Sequence, residues 1–144
     1  MEKWRDPESE RDVWIAIGLD AWPEKVPWSC AEFGLMILAE HVVDVAPLIE
    51  RAATQGIAVA CVWGPAAAVI EDEIVEHVRD DVVTTSHAYE TIAETLEIFL
   101  TMLPVTTHEA ACNAWCILAT SPDLATRARQ ALTHRHAQPV RTTR

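Results

Sequence analysis

Glycine is scarce in this sequence, and its scarcity restricts the nucleotide sites that the chain can contain. The 144 residues include four glycines, Gly18, Gly34, Gly56 and Gly64. Dinucleotide and nucleoside-triphosphate sites need closely spaced glycines, which let the backbone approach phosphate groups. None of the four lies in a Gly-x-Gly-x-x-Gly or Walker pattern, so we expect no cofactor of either class.

Long apolar runs are also missing, and cysteines are few. No run reaches the roughly 18 residues of a membrane-spanning helix, and the charged segment Met1–Asp12 does not resemble a signal peptide. The four cysteines are Cys30, Cys61, Cys112 and Cys116. The last two lack the two-residue spacing of a zinc hook. We therefore expect no membrane contact, free thiols and a cytoplasmic location.

Basic residues are half as numerous as acidic ones. The sequence has 11 Lys and Arg against 22 Asp and Glu, which gives a formal net charge of -11. Because an acidic surface repels phosphate backbones, we expect no nucleic-acid partner. The same charge favours a basic protein partner, although acidity also maintains solubility. The composition does not determine the oligomeric state.

Apolar segments alternate with amphipathic ones along most of the chain. Buried strands are predicted at Val13–Leu19, Ile57–Trp63, Asp81–Thr85 and Ala114–Thr120. The last of these is short enough to be the end of a helix instead. Helices are predicted at Ala31–Val42, Val45–Gln55, Ala66–Arg79, Ala88–Leu103 and Pro122–His134. This alternation predicts an α/β three-layer sandwich with a mostly parallel sheet of about four strands, Rossmann-like or flavodoxin-like in style.

The two ends of the chain differ from this alternating region. Residues 1–12 are polar and aperiodic, which predicts an N-terminal arm, and residues 136–144 predict a flexible tail. Residues 13–135 then form a single domain, since one core can support a chain of this size. We expect the central core to contain Trp14, Ile15, Ile17, Val59, Cys61, Val83, Ile117 and Leu118.

Polar or turn residues follow each predicted strand, and ligands of open parallel sheets gather at the carboxyl ends of the strands. Helix capping accounts for some of them, namely Ser121, Asp123 and one of Thr85 or Ser86. A carboxylate can orient a histidine for acid–base chemistry, so Asp20, Thr84 and His87 form a candidate catalytic set. Adding Ser121 supplies the residue types of a catalytic triad, but no Gly-x-Ser-x-Gly elbow surrounds it.

Tryptophan is abundant, with six residues in 144. Trp14 and Trp115 lie in predicted strands and are expected in the core. Trp22 and Trp28 lie in a proline-bearing loop, where they can form a recognition surface, because interfaces favour tryptophan, or cover the edge of the sheet. The candidate partner surface comprises Asp20, Trp22, Trp28, Trp63, Thr84 and His87.

Histidines are scattered and do not predict a metal site. His108, Glu109 and Cys112 can share one helical turn, but no fourth ligand accompanies them. His77 follows several glutamates, as expected of a solvated helix face. We therefore expect no bound metal.

Several short motifs resemble a small bacterial α/β family known as a domain of unknown function. They are CVWGP at Cys61–Pro65, Glu71 with Asp72, TTSH at Thr84–His87, and TIAETLEIFL at Thr91–Leu100 before Pro104. The resemblance covers roughly half of the chain. In that family an aromatic residue precedes the histidine, where this chain has Ser86. The resemblance implies an α/β fold in a bacterial cytoplasm and implies no reaction.

Two functions are compatible with these features. The first is an acidic binding or accessory protein of the immunity or regulatory type, which acts through protein–protein contacts and is not an enzyme. The alternative is a small enzyme or ligand-binding domain with a site around His87 and Asp20. The lack of a recognisable catalytic motif favours the first function, and fold class alone does not decide between them.

Overall fold

The computed structural model describes residues 1–30, 32–102 and 114–141, which contain seven strands and four α-helices that alternate from the third strand onward. The strands are β1 (Glu2–Asp6), β2 (Arg11–Ile17), β3 (Phe33–Leu38), β4 (Ile57–Trp63), β5 (Val83–His87), β6 (Ala114–Ala119) and β7 (Gln138–Pro139). The helices are α1 (Ala46–Gln55), α2 (Ala67–Val75), α3 (Ile92–Glu97) and α4 (Pro122–His134). A π-helical turn at Ile98–Met102 extends α3. No helix of these ranges has both the length and the apolarity needed to cross a membrane.

All seven strands form one mixed sheet in the order β5-β4-β3-β6-β2-β1-β7. The five strands from β5 to β2 are mutually parallel, whereas β1 pairs antiparallel with both β2 and β7. The α/β class is therefore confirmed. The sheet is larger than the predicted one, because β1, β3 and β7 were not predicted as strands, and the ambiguous segment near Trp115 is a strand.

The predicted helix Ala31–Val42 is wrong, because Phe33–Leu38 is the central strand β3. All six of its residues are buried, since β4 and β6 flank it and both faces of the sheet are covered there. A strand buried on both faces loses the alternation of apolar and polar residues. Its continuous apolar run therefore resembles the broad apolar stripe of a buried helix.

The N-terminal segment is part of the sheet rather than a polar arm. Glu2–Asp6 pairs with Arg11–Ile17 as a hairpin, and Trp4 is buried against the core. In the predicted tail, Gln138–Pro139 pairs with β1, and the N–H of Val140 donates to the carbonyl of Lys3 at 2.8 Å. The two ends of the described chain therefore extend the sheet beside β2.

The two faces of the sheet carry different layers. Trp115 contacts Phe99 of the π-helical turn, with ring centroids 4.6 Å apart, so this face lies beneath α3 and α4. Trp14 pairs in register with Cys116 and therefore faces the other way, where it contacts Trp28 of the β2–β3 connection. That connection is hydrogen-bonded to α1, which contacts α2. We name the two sides the α3/α4 face and the α1/α2 face.

The core lies on both faces of the central strands. Five of the predicted core residues are buried, namely Ile15, Val59, Cys61, Ile117 and Leu118. The other three are corrected. Ile17 is 39% exposed at the end of β2, and Trp14 and Val83 are only partly buried. Val83 belongs to the outermost strand β5, which has a neighbour on one side only.

Candidate functional site at the carboxyl edge

The carboxyl ends of the five parallel strands lie along one edge of the sheet. Pairing in register brings Leu38, Trp63 and His87 into one row, with Leu38 also opposite Ala119. Because side chains alternate along a strand, the residues of this row share the α3/α4 face with Trp115. Ligands of open α/β sheets bind outside such an edge, so this row is the natural place for a site.

His87 ends β5 and is 7% exposed. Its Nδ1 lies 3.3 Å from Oε1 of Glu90, and its Nε2 lies 2.9 Å from Oγ1 of Thr85. The pKa of Glu90 is lowered, chiefly because its own backbone N–H hydrogen-bonds its carboxylate, with a further contribution from His87. An ionised Glu90 favours the proton on Nδ1, which leaves Nε2 of a neutral ring to accept the Thr85 hydroxyl proton.

Cys61 lies beside this group and remains a neutral thiol. It is opposite Thr85 in the β4–β5 register and is fully buried. Burial raises the pKa of Cys61 to about 12, although a hydrogen bond with Thr85 partly opposes this rise. A thiol with so high a pKa is a poor nucleophile at neutral pH, so the reactive candidates here are the imidazole and the hydroxyl.

Trp63 links the His87 group to helix α4. Its indole N–H donates to the carbonyl of Glu90 at 2.8 Å. The guanidinium of Arg127 lies over its ring, 5.1 Å from the centroid. Arg127 is also 3.7 Å from a carboxylate oxygen of Glu40, and both of these side chains are more than 40% exposed. The edge therefore carries one ordered arginine at its surface.

The structure does not bring Asp20 to His87. Asp20 follows β2, and three strands separate β2 from β5. Adjacent strands lie about 4.8 Å apart, so the two strand ends are about 19 Å apart. Ser121 follows β6, which two strands separate from β5, and its Oγ caps α4 by accepting the N–H of Leu124. The structure therefore does not assemble a triad from Asp20, His87 and Ser121.

Thr84 is also separated from His87, because it pairs with Ala60 and faces the α1/α2 side. The hydroxyl that contacts His87 belongs instead to Thr85, which had been considered only as a helix cap. The residues that sequence reasoning missed are Glu90 and Arg127. Glu90 lies three residues after His87, a spacing that was available as a signal, whereas nothing local to Arg127 indicates its stacking on Trp63.

Trp22 and Trp28 are core residues rather than a recognition surface. They are 3% and 8% exposed, and both contact Phe33 at the beginning of β3. The indole N–H of Trp22 donates to Oε1 of Gln55 at 2.7 Å. Both tryptophans therefore cover the amino end of β3, opposite to the carboxyl edge. This agrees with the second interpretation given from the sequence, in which they cover an edge of the sheet.

One group of possible metal ligands occurs in the described ranges, at the end of α2. Single ligand atoms of Glu73, Glu76 and His77 lie within 4.8 Å of one another. The ring of His77 is already between two carboxylates, 3.4 Å from Glu73 and 3.6 Å from Glu50. We interpret the group as a solvated ion-pair cluster. The other candidate ligands, His108, Glu109 and Cys112, lie outside the described residues.

No protein-family model matches the chain, and no curated protein is similar to it in sequence. The family resemblance carried by the short motifs therefore stays a prediction.

Proposed function

We propose that this chain is a non-enzymatic binding protein of the immunity or regulatory type, which docks a basic protein partner on the outer side of α2. The observation that carries the proposal is a surface that combines several carboxylates, most of them without an ion pair in the described ranges, with exposed valines. We name it the acidic face. It comprises Val69, Glu71, Asp72, Glu73, Val75 and Glu76.

The carboxylates of the acidic face are poorly neutralised. Within residues 1–30, 32–102 and 114–141, no ion pair involves Glu71, Asp72 or Glu76. The one arginine or lysine between positions 52 and 126 is Arg79, and it pairs with Asp81. The face therefore keeps a negative potential that accelerates encounters with a basic surface.

The two valines supply the apolar contact that a stable interface needs. Val69 and Val75 are 56% and 53% exposed on a helix whose other large apolar residues, Ile70 and Ile74, are buried. Interfaces commonly place an apolar centre within a polar rim. A partner that matches the face therefore carries lysines or arginines around a few apolar side chains.

The proposal also includes a cytoplasmic location and a Rossmann-like fold. Free Cys30, Cys61 and Cys116 support a reducing, cytoplasmic environment. Counting only β3 to β6, the strands run third, second, first and then fourth across the sheet. This is the order in the first half of doubly wound nucleotide-binding sheets, and it supports a Rossmann-like classification. β2 occupies the next position and distinguishes this sheet from that arrangement.

The test uses a synthetic amphipathic peptide of about 18 residues, with lysines around a leucine stripe. We expect the wild-type protein to bind it with an affinity that falls as salt is raised. The variant Glu71→Gln, Asp72→Asn, Glu76→Gln should bind about 10-fold more weakly, because each rim charge contributes modestly. Fluorescence anisotropy of a labelled peptide measures both effects.

The control variant removes the same charge elsewhere. Asp20, Glu24 and Glu32 lie on the β2–β3 connection and form no ion pair in the part of the chain that the structure covers. Their neutralisation as Asp20→Asn, Glu24→Gln, Glu32→Gln should leave peptide affinity within about 2-fold of the wild type. Equal losses in the two variants would show that only net charge attracts the peptide and would overturn the proposal.

A second candidate function, a small enzyme or ligand-binding domain, is favoured by the contacts of His87. Glu90, His87 and Thr85 form a carboxylate–imidazole–hydroxyl series, with contacts of 3.3 and 2.9 Å. In this order the imidazole can take the hydroxyl proton while the carboxylate stabilises the resulting cation. The series lies within three residues of one strand end and the following turn, far from Asp20.

A fluorophosphonate probe tests this candidate. The Thr85 oxygen would form a bond to phosphorus, fluoride would leave, and the proton would pass to Nε2 of His87. We expect an adduct on Thr85 by peptide mass spectrometry, lost in His87→Gln and retained in the exposed-histidine control His134→Gln. An unmodified Thr85 in the wild-type protein would overturn its assignment as a nucleophile, on which the enzyme candidate rests.

A further inference from the structure

Helices α3 and α4 form a groove whose lining reverses the overall charge of the protein. The groove has a volume of about 710 Å³, within the range of small-molecule sites. Among the residues that the structure describes, ten line the groove and none of these is acidic, although Asp and Glu make up 22 of the 144 residues. Arg127, Arg129 and His134 lie in the lining. A concave surface of this charge in an acidic protein attracts an anionic ligand.

The two arginines of the groove are not equally available. Arg129 is engaged by both carboxylate oxygens of Glu2, at distances between 2.9 and 3.0 Å. Within the part of the chain that the structure describes, the one carboxylate near Arg127 is that of Glu40 at 3.7 Å, and this exposed pair is a weak interaction in water. The Arg127 guanidinium lies over the ring of Trp63, 5.1 Å from its centroid, and this contact restrains it before any ligand arrives. The anionic group of a ligand therefore belongs at Arg127.

Three other polar side chains of the groove can accept hydrogen bonds from a ligand. Thr126 Oγ1 donates its proton to the carbonyl of Pro122 at 3.1 Å, and Thr133 Oγ1 donates to the carbonyl of Arg129 at 2.8 Å. Their lone pairs stay free to accept protons from a ligand. Gln130 lies between them on α4, is exposed and offers both an acceptor and two donors. This series matches a ligand with several hydroxyl groups.

We propose that the α3/α4 groove binds a small sugar phosphate, with its phosphate at Arg127 and its hydroxyl groups along Thr126, Gln130 and Thr133. Arginine suits this role, because its planar fork pairs with two phosphate oxygens at once. The groove lies on the face of the sheet opposite to α2, so the proposal is independent of the acidic face.

The test titrates ribose 5-phosphate into the 15N-labelled protein and follows its amide resonances. We expect saturable shifts in the groove residues of α3 and α4, with a Kd below about 1 mM. Ribose, inorganic phosphate and gluconate are titrated in parallel, and each should bind at least about 10-fold more weakly. If gluconate binds as tightly as ribose 5-phosphate, the groove does not distinguish a phosphate from other anions. If inorganic phosphate binds as tightly, the sugar contributes nothing to the affinity. Either result overturns the assignment.

Two variants locate the ligand within the groove. Arg127→Gln should weaken ribose 5-phosphate binding about 10-fold or more and leave the weak binding of ribose unchanged. Arg5→Gln makes the same charge change on β1, outside the groove, and should leave both affinities unchanged. Equal affinities of Arg127→Gln and the wild type would refute the site, as would wild-type shifts that are absent or lie outside the groove. The amide shifts of the wild-type protein test the location of the ligand even if a variant fails to fold.

Discussion

The ion pair between Asp6 and Arg135 permits a stringent test of how the N-terminal hairpin is held. Asp6 ends β1 and is fully buried, and Arg135 follows α4 and is 9% exposed. The guanidinium donates to both carboxylate oxygens of Asp6, at 3.3 and 3.0 Å. The backbone N–H of Ser9 adds a donor at 3.0 Å. Glu97 and Glu8 contact the same guanidinium from α3 and from the hairpin turn.

Removal of the Asp6 carboxylate should be costly. Breaking a buried ion pair by deleting one partner costs about 3–5 kcal/mol, because the other charge is left buried. Arg135 keeps two further carboxylates, so we expect the lower end, about 3 kcal/mol, for Asp6→Ala. The control Asp12→Ala breaks the pair with Arg5, whose side chains are 33% and 47% exposed. An exposed pair of this kind contributes less than about 1 kcal/mol.

The pH dependence gives an independent measure of the same contact. Burial by itself raises the pKa of Asp6, but the hydrogen bonds from Arg135 and Ser9 outweigh it and hold this pKa below its usual value. A carboxyl group with a lowered folded-state pKa stabilises the protein above the unfolded-state pKa of about 3.9. That contribution is lost as the pH falls through the folded-state pKa. The variant Asp6→Asn should lack this part of the acid dependence.

Urea denaturation followed by tryptophan fluorescence measures both effects, from neutral pH down to about pH 3. The reasoning would be refuted if Asp6→Ala and Asp12→Ala lost the same free energy of unfolding. It would fail equally if Asp6→Asn retained the acid dependence of the wild type.

Two further predictions concern the backbone and the thiols. Gly64 has φ +133°, and a Cβ there would lie 1.7 Å from the Ala39 carbonyl oxygen, so Gly64→Ala should cost more than about 3 kcal/mol by urea denaturation. At Gly18, with φ +90° and open space around it, Gly18→Ala should cost about 1 kcal/mol, and equal losses would contradict the steric argument. Peptide mapping after a short iodoacetamide pulse should find Cys30 modified and Cys61 unmodified, because Cys61 is buried and its pKa is raised to about 12. Modification of Cys61 at the rate of Cys30 would show that this part of the core opens readily.

Local sequence signals located the elements whose ends are defined by turn or capping residues. Helix α4 begins as predicted, because the Ser121 hydroxyl accepts the N–H of Leu124 and Pro122 fits a first helical turn. Strand β4 was found with its bounds, since its β-branched apolar run is followed directly by Gly64 and Pro65. In these segments, propensity and tertiary burial favour the same structure.

Prediction from the sequence failed where the structure depends on contacts between residues that are far apart in the chain. Strand β1 resembles a polar segment because four of its five residues are charged, and the buried charge of Asp6 depends largely on Arg135, 129 residues away. The prediction that Asp20 lies near His87 was wrong for a similar reason. Their strands are neighbours in neither sequence nor sheet, and strand order depends on long-range contacts. The partner that His87 does use, Glu90, was available from the adjacent turn.

The charge of the protein is unevenly distributed, and this has a consequence for its two proposed binding surfaces. The acidic face of α2 and the α3/α4 groove lie on opposite faces of the sheet and share no residue. Coupling between two sites requires a ligand at one of them to favour a conformation that alters the other, and it is reciprocal. Apart from the edge strand β5, the strands between them are largely buried, and close packing of this kind resists rearrangement when a ligand binds. We therefore expect saturating ribose 5-phosphate to leave the Kd of the basic peptide unchanged, and the peptide to leave the sugar-phosphate affinity unchanged. A shift in either direction, measured by anisotropy or by amide resonances, would show that the two surfaces communicate through the sheet.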